Sequence, residues 1–114
     1  LQLALQADLG NYSREKASLD PQKNIIVRTV GFEDNVDVDI FTYKVNRNDI
    51  LLTCSDGLYG KVSDGDIVYL VNKIIPDPSK ATQQDLEHLV SELISLANQN
   101  GGNDNISVIV VIAQ

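Results

Sequence analysis

The sequence of 114 residues lacks methionine and tryptophan and contains a single cysteine, which excludes several structural classes. Cys54 has no partner within the chain, so an internal disulfide is excluded, and a reducing compartment and a buried, inert thiol are favoured. Aromatic residues make up only 5% of the chain, so a core must be built from Ile, Leu and Val, which suits a sheet covered by helices. Because it starts at Leu1 and has no Met, the chain is predicted to be a piece of a longer protein.

A basic stripe is also absent, because nine Lys and Arg residues are scattered among sixteen Asp and Glu residues. Contact with a nucleic-acid backbone needs clustered cations, so no nucleic acid is predicted as a partner. The formal net charge of −7 fits ordinary solubility, and it also fits a site where carboxylates gather around a divalent cation. No apolar run is long enough to span a membrane and no signal peptide is visible, so the chain is predicted to be cytoplasmic with no membrane partner.

The sequence does contain the pattern of several strands, two helices and a last strand. Four strands are predicted, in chain order at residues 24–31, 36–45, Ile50–Cys54 and 106–112. Ile50–Cys54 is an apolar run, and the other three segments are rich in β-branched residues. A polar turn after residue 45 predicts an antiparallel hairpin between the second and third of these strands. The third and fourth strands are apolar on both faces, so both are predicted to be covered on both faces.

Two amphipathic helices are predicted between the last two strands. Ser63-x-x-Asp66 and Thr82-x-x-Asp85 are typical of helix N-terminal caps, and Pro76 ends the first helix. The predicted class is α+β, a single domain over residues 1–114, with mostly antiparallel strands and both helices packed on one face. The second helix presents one apolar stripe, formed by Leu86, Leu89, Val90, Leu93, Ile94 and Ala97.

Two acidic turns adjoin the last two predicted strands. One holds Asp56 and Gly57 directly after Ile50–Cys54, and the other holds Asp104 and Asn105 directly before the last strand. If the strands are antiparallel neighbours, Asp56 and Asp104 meet at one edge of the core. Two carboxylates held close together repel, so they need a shared proton or a cation, and oxygen ligands favour Mg²⁺ or Mn²⁺ over zinc. Asp-Gly and Gly-Gly-Asn-Asp are also common in ordinary turns. Composition and spacing therefore do not decide between a turn and a metal site.

Four motifs resemble those of type 2C metal-dependent serine/threonine protein phosphatases of bacterial kind. ILLTCSDGL at residues 50–58 resembles the family segment LLCSDGL, and GGNDNISVIV at residues 101–110 resembles the family ending GG.DNITVIVV. NIIVRTVG at residues 24–31 is similar to the family strand NVLTRALG. Asp49 fits the family pattern GD.LLL, although Asn48 replaces the usual glycine. The motifs occur in family order over nearly the whole chain.

The resemblance implies a fold, a reaction and a set of site residues. The fold is the C-terminal half of the family's β-sandwich, and the reaction is the hydrolysis of phosphoserine or phosphothreonine in a phosphoprotein by a water bridging two Mg²⁺ or Mn²⁺ ions. Asp56 and Asp104 match aspartates that bind the same metal, and Gly57 and Asn105 match residues that shape the turns near it. The family's Asp-Gly-His-Gly-Gly turn and phosphate-binding arginine have no counterpart here, so no catalytic residue is predicted in this chain, which is expected to be inactive alone.

Alternatives to an enzyme remain at the level of the sequence. A non-catalytic binding or regulatory module of the same fold, or a relative that regulates bacterial sigma factors, is also consistent with the motifs, although retention of both aspartates favours an enzyme. Arg28 is predicted to be structural, His88 to be a solvated surface residue, and Ser55 not to be a nucleophile, since no His accompanies it. Half a sandwich leaves sheet edges exposed, so self-association of the chain is predicted.

Overall fold

The computed structural model describes residues 30–114, and the chain divides into two compact units, Leu1–Thr42 and Tyr43–Gln114. The predictions for residues 1–29, including most of the first strand and Arg28, lie outside the described residues. In the described part of the first unit, an isolated parallel bridge joins Val30 to Glu33, and Gly31 between them has a positive φ of 88°. The regular elements that position the candidate site lie in the second unit.

Within residues 43–114, the described elements are a two-stranded sheet, three α-helices and one 3₁₀ turn. The strands β1 and β2 are antiparallel, with Ile50 opposite Ile112 and Cys54 opposite Val108. The α+β class and the antiparallel pairing of these two strands are therefore confirmed. Among the described residues, no helix is both long enough and apolar enough to cross a membrane. In chain order the elements are β1 (Ile50–Cys54), α1 (Asp56–Tyr59), α2 (Asp64–Ile74), the 3₁₀ turn (Pro78–Lys80), α3 (Gln83–Gln99) and β2 (Val108–Ile112).

Both long helices begin at the predicted capping residues. At the start of α2, Ser63 Oγ accepts a hydrogen bond of 3.1 Å from Asp66 N. At the start of α3, Thr82 N donates to Asp85 Oδ2 at 2.9 Å and Asp85 N donates to Thr82 Oγ1 at 3.3 Å, which completes a capping box. Such caps satisfy amides that the helix cannot, and each stabilises it by about 1 kcal/mol. The end of α2, two residues before Pro76, is also as predicted.

The hydrophobic core lies between the helices and one face of the sheet. Leu58 of α1 and three residues of the predicted α3 stripe, Leu89, Leu93 and Ala97, are wholly buried. Since the strand residues that pack against them alternate along the chain, they all belong to a single face of the sheet. The helices therefore cover one face, as predicted. The strand residues at this core are Ile50, Leu52, Cys54, Val108, Val110 and Ile112.

The opposite face of the sheet is exposed, so the prediction that both strands are covered on both faces is wrong. Leu51, Ile109 and Val111 on this face are 38%, 63% and 51% exposed. The cross-strand pairs Leu51–Val111 and Thr53–Ile109 place these side chains side by side. We call these four residues the outer sheet face. Apolar side chains are stabilised by burial, but the residue type alone does not determine whether another part of the chain packs over them.

The predicted hairpin between residues 36–45 and β1 is also wrong, because residues 36–45 have no regular secondary structure. A turn follows them, in which Asp49 N donates to Asn46 O at 3.1 Å and Asn46 N donates to Asp49 Oδ2 at 2.8 Å. Asn48 in this turn has a positive φ of 70°, a conformation that favours glycine and that Asn tolerates. The chain leaving the turn pairs with the end of β2, where Ala113 N donates to Asp49 O at 3.0 Å.

Candidate functional site

The segment that leaves β1 lies beside the segment that leads into β2. Cys54 opposite Val108 is the last pair of the ladder, and one further backbone hydrogen bond, from Ser55 N to Ser107 O at 2.9 Å, continues it. The antiparallel register thus brings the residue before Asp56 next to the chain that follows Asp104. The predicted adjacency of the two acidic segments is confirmed, while the role of their carboxylates as metal ligands stays a prediction.

Ser55 joins the two segments through its side chain. Its hydroxyl donates to Asn105 O at 3.2 Å and accepts from Ser107 N at 3.0 Å. Both backbone groups belong to the second acidic segment, so one hydroxyl links the start of α1 to that segment. Ser55 was predicted not to be a nucleophile, and its positioning role was not predicted. No local signal indicated it, because the backbone groups that bond to the hydroxyl lie 50 and 52 residues further along the chain.

Gly57 is buried against the backbone of the second segment. A Cβ at this position would lie 2.1 Å from Asn105 O and 2.9 Å from Asn105 C, so a residue other than glycine requires the backbone to move. Positive φ angles occur instead at Gly101 and Gly102, with values of 139° and 56°. The backbones of Gly57 and Asn105 therefore pack closely between the two segments, and their proximity to a metal stays a prediction.

The two candidate ligands, Asp56 and Asp104, are exposed and sit on backbone that hydrogen bonds hold in place. Asp56 is the first residue of α1, and its carbonyl oxygen accepts from Gly60 N at 2.9 Å. One carboxylate oxygen of Asp104, Oδ1, accepts from Asn105 N at 2.7 Å. Carboxylate oxygens in accessible positions suit Mg²⁺ or Mn²⁺. Among residues 30–114, no group of three or more His, Cys, Asp or Glu side chains lies close enough together to hold a metal ion.

The titratable groups next to Asp56 are held in their neutral forms. Burial raises the pKa of the Cys54 thiol, the backbone of Tyr59 partly offsets this through a hydrogen bond, and the charge of Asp64 adds to the rise. Burial likewise raises the pKa of the Tyr59 phenol, followed by the charges of Asp56 and Cys54. Both groups therefore stay protonated at neutral pH and add no charge to the site. Cys54 has the inert environment that its apolar surroundings predict.

His88 lies away from these segments, on the exposed side of α3. Its side chain is 61% exposed, and Nε2 lies 3.6 Å from Glu92 Oε1, one helical turn further along. This position confirms His88 as a solvated surface residue. An exposed i, i+4 pair of this kind contributes little to stability.

Named bacterial proteins match this chain closely, although no family model does. The serine/threonine phosphatase Stp of Listeria innocua is 37% identical over 102 residues, which are 90% of this chain and 37% of that protein. A Streptococcus pyogenes protein whose name assigns it to the 2C type of protein phosphatase is 33% identical over 102 residues, with 90% of this chain and 38% of that protein covered. A solved structure of the Streptococcus agalactiae serine/threonine phosphatase superposes with a TM-score of 0.67 at 31% identity, over 95% of this chain and 41% of that one.

The chain is similar in sequence and in structure to bacterial serine/threonine phosphatases. The resemblance indicated by the four sequence motifs is therefore confirmed. The chain spans little more than a third of the length of the curated phosphatases it matches, at 37% to 38%. Asp56 and Asp104 lie in two of the motifs that resemble the phosphatase family, and the segments that carry them are in contact in the structure.

Proposed function

We propose that the chain is the C-terminal part of a metal-dependent serine/threonine protein phosphatase domain and that Asp56 and Asp104 bind the same Mg²⁺ or Mn²⁺ ion. The observation that carries the proposal is the bond of the Ser55 hydroxyl to Asn105 O at 3.2 Å, which ties the two carboxylate-bearing segments together. The proposal includes the β-sandwich of the complete domain, a second metal ion and phosphoprotein substrates. It also includes a cytoplasmic location, which the single half-buried thiol of Cys54 supports.

The residues of this chain hold the ligands in position, and the bound ions supply the chemistry. Metal ions in such a centre lower the pKa of a bound water and stabilise negative charge on phosphoryl oxygens. Ser55 fixes the start of α1, which carries Asp56, to the segment that follows Asp104. Gly57 allows that contact to be closer than any side chain would permit. These two contacts hold the segments that carry the candidate ligands in fixed positions, and a metal centre requires ligands that are held in place.

We further propose that the 114-residue chain alone is inactive as a phosphatase. Two carboxylates that bind the same ion can hold that ion together with waters, but they leave the second ion of the proposed centre without a ligand from this site. Weak binding of a single ion is therefore the activity expected of the chain by itself. The affinity of the chain for a single ion can therefore be measured to test the proposed ligands.

Replacing either candidate ligand should weaken Mn²⁺ binding to the chain. Asp56→Asn and Asp104→Asn are each expected to raise the Kd by about tenfold, because each removes a charged oxygen ligand from the ion. The double variant should bind more weakly than either single variant, because it removes both charged ligands from the ion. Free Mn²⁺ is measured by electron paramagnetic resonance during titration of the purified chain.

Glu87→Gln is the matched control for these variants. It changes the net charge by the same amount, but it lies near the start of α3, ~18 Å along the helix axis from the end that faces the site. Its Mn²⁺ affinity should equal that of the unsubstituted chain. If Asp56→Asn, Asp104→Asn and Glu87→Gln all bind Mn²⁺ equally well, the aspartates are not ligands and the proposed function loses its support.

Self-association of the chain is the second expected property. Among the described residues the sheet has only two strands, so each strand has one unpaired edge beside the exposed outer sheet face. Static light scattering should give a mass above 12.5 kDa that rises with concentration.

Ile109→Lys on the outer sheet face should shift the chain towards monomer, because it places a charge in the contact. Val68→Lys on α2, where Val68 is 57% exposed compared with 63% for Ile109, should not. A constant monomer mass at all concentrations would contradict the expectation.

A further inference from the structure

Lys61 lies between α1 and the C-terminal end of α3. Its backbone N–H donates to Leu58 O of α1 at 3.0 Å. Its backbone carbonyl accepts from Asn100 Nδ2, at the C-cap of α3, with a distance of 2.8 Å. The main chain of Lys61 is thus held on one side by the helix that carries Asp56 and on the other by the helix that leads towards Asp104.

The side chain of Lys61 extends over Gly101. Its Nζ and Cε lie 3.0 and 3.3 Å from the position that a Cβ at Gly101 would occupy, and Asn103 Oδ1 lies 3.3 Å from the same point. The end of the Lys61 side chain therefore packs closely over the Gly101 turn, and a Cβ at Gly101 would require it to shift. This space adjoins the turn that leads directly into Asp104.

The electrostatics of α3 explain why a cation is favourable at this place. The carbonyl groups of the last turn of a helix have no partner within the helix and carry partial negative charge. The last turn of α3, which is described in full, contains no basic residue. Lys61 supplies that positive charge from another part of the chain. A basic side chain close to a helix C-terminus stabilises it in the same way as one within the last turn.

We propose that Lys61 is a positioning residue, whose ammonium group interacts with the C-terminal end of α3 and holds the Gly101 turn against α1. The turn is thereby fixed relative to the start of α1, and with it Asp104 relative to Asp56. The effect on metal binding rests on the proposed function, whereas the link between the turn and α1 does not. The two parts are therefore tested by separate measurements.

The first measurement is hydrogen exchange of the Gly102 amide, which donates to Ala97 O at 3.1 Å, in the absence of metal. Lys61→Met keeps an unbranched side chain and removes the ammonium group. It should speed exchange at Gly102 by about 2- to 5-fold, the range that a helix-terminus charge interaction supports. Lys61→Arg should restore slow exchange, and Lys44→Met, which removes a charge outside the helices, should leave it unchanged. Equal exchange at Gly102 in Lys61→Met and the unsubstituted chain overturns the proposal.

The second measurement is the Mn²⁺ affinity of the same variants. Removing a positive charge near a cation site would by itself tighten Mn²⁺ binding, whereas loss of positioning weakens it. Lys61→Met is expected to weaken binding about 2- to 5-fold, and Lys61→Arg to restore it. Unchanged or tighter binding by Lys61→Met overturns the positioning of Asp104. If Asp56→Asn leaves Mn²⁺ binding unchanged, the proposed function fails instead, and the exchange of Gly102 alone decides the role of Lys61.

Discussion

Gly57→Ala is expected to lower the free energy of unfolding by about 3 kcal/mol, the upper part of the range for overpacking a close contact. The added Cβ would lie 2.1 Å from Asn105 O and 2.9 Å from Asn105 C, and these backbone atoms cannot rotate away as a side chain could. Relief requires the two acidic segments to separate, which would break the bond from the Ser55 hydroxyl to Asn105 O. Urea unfolding followed by circular dichroism measures the change.

Gly65→Ala is the matched control, since both glycines lie in α-helices. A Cβ at Gly65 would meet nothing closer than Ser63 Oγ at 4.0 Å. Alanine is favoured over glycine within a helix by about 1 kcal/mol, so Gly65→Ala should be neutral or slightly stabilising. If Gly57→Ala were as well tolerated as Gly65→Ala, the close contact between the two segments would not exist in solution.

Leu93→Ala should also lower the free energy of unfolding by about 3 kcal/mol, because it leaves a cavity in the core between α3 and the sheet. Leu93 is wholly buried, and its neighbours on the same stripe, Leu89 and Ala97, are wholly buried as well. Leu96→Ala, three residues further along the same helix, removes the same atoms from a half-buried position and should cost about 1 kcal/mol. Equal losses for the two variants would contradict the position of the core, and thermal unfolding of both chains provides the comparison.

The helices could be predicted from the sequence because their signals are local. A cap such as Thr82 with Asp85 lies within three residues of the amides it satisfies, and the spacing of Leu89 and Leu93 depends only on helical geometry. The tertiary structure reinforces these local preferences and does not compete with them. Both helix starts therefore agree with the prediction, and so do the three wholly buried residues of the α3 stripe, whereas Val90 and Ile94 of that stripe are not among the residues that pack against the core.

The strands were predicted less well because the partner on which strand formation depends can lie anywhere in the chain. Residues 36–45 alternate in polarity as a strand would, yet they form none, and β1 pairs with β2 instead. Alternation marks a segment as able to form a strand, but it does not identify the neighbour. The exposure of Leu51 and Ile109 on the outer sheet face was not predicted for a similar reason, since the composition of a strand does not show which part of the chain covers it.

The candidate site was predictable only in its outline. The adjacency of the segments with Asp56 and Asp104 follows from two strands with acidic ends, once their antiparallel pairing is assumed. The contacts that hold the segments together, through the Ser55 hydroxyl and through Lys61, depend on three-dimensional distances between residues about 40 to 50 positions apart. Neither residue type carries a sequence pattern that indicates such a role.

The binding of one ion by both acidic segments is tested most directly by nuclear magnetic resonance of the ¹⁵N-labelled chain with substoichiometric Mn²⁺. Paramagnetic Mn²⁺ broadens the signals of nearby amides, so the amides of Gly57 and Asn105 should broaden together at the same Mn²⁺ concentration. In Asp56→Asn, broadening at Asn105 should decrease as strongly as broadening at Gly57, although the substitution lies in the other segment. Broadening at Asn105 that persists undiminished in Asp56→Asn would show that the two carboxylates do not share an ion, contrary to the proposed metal site.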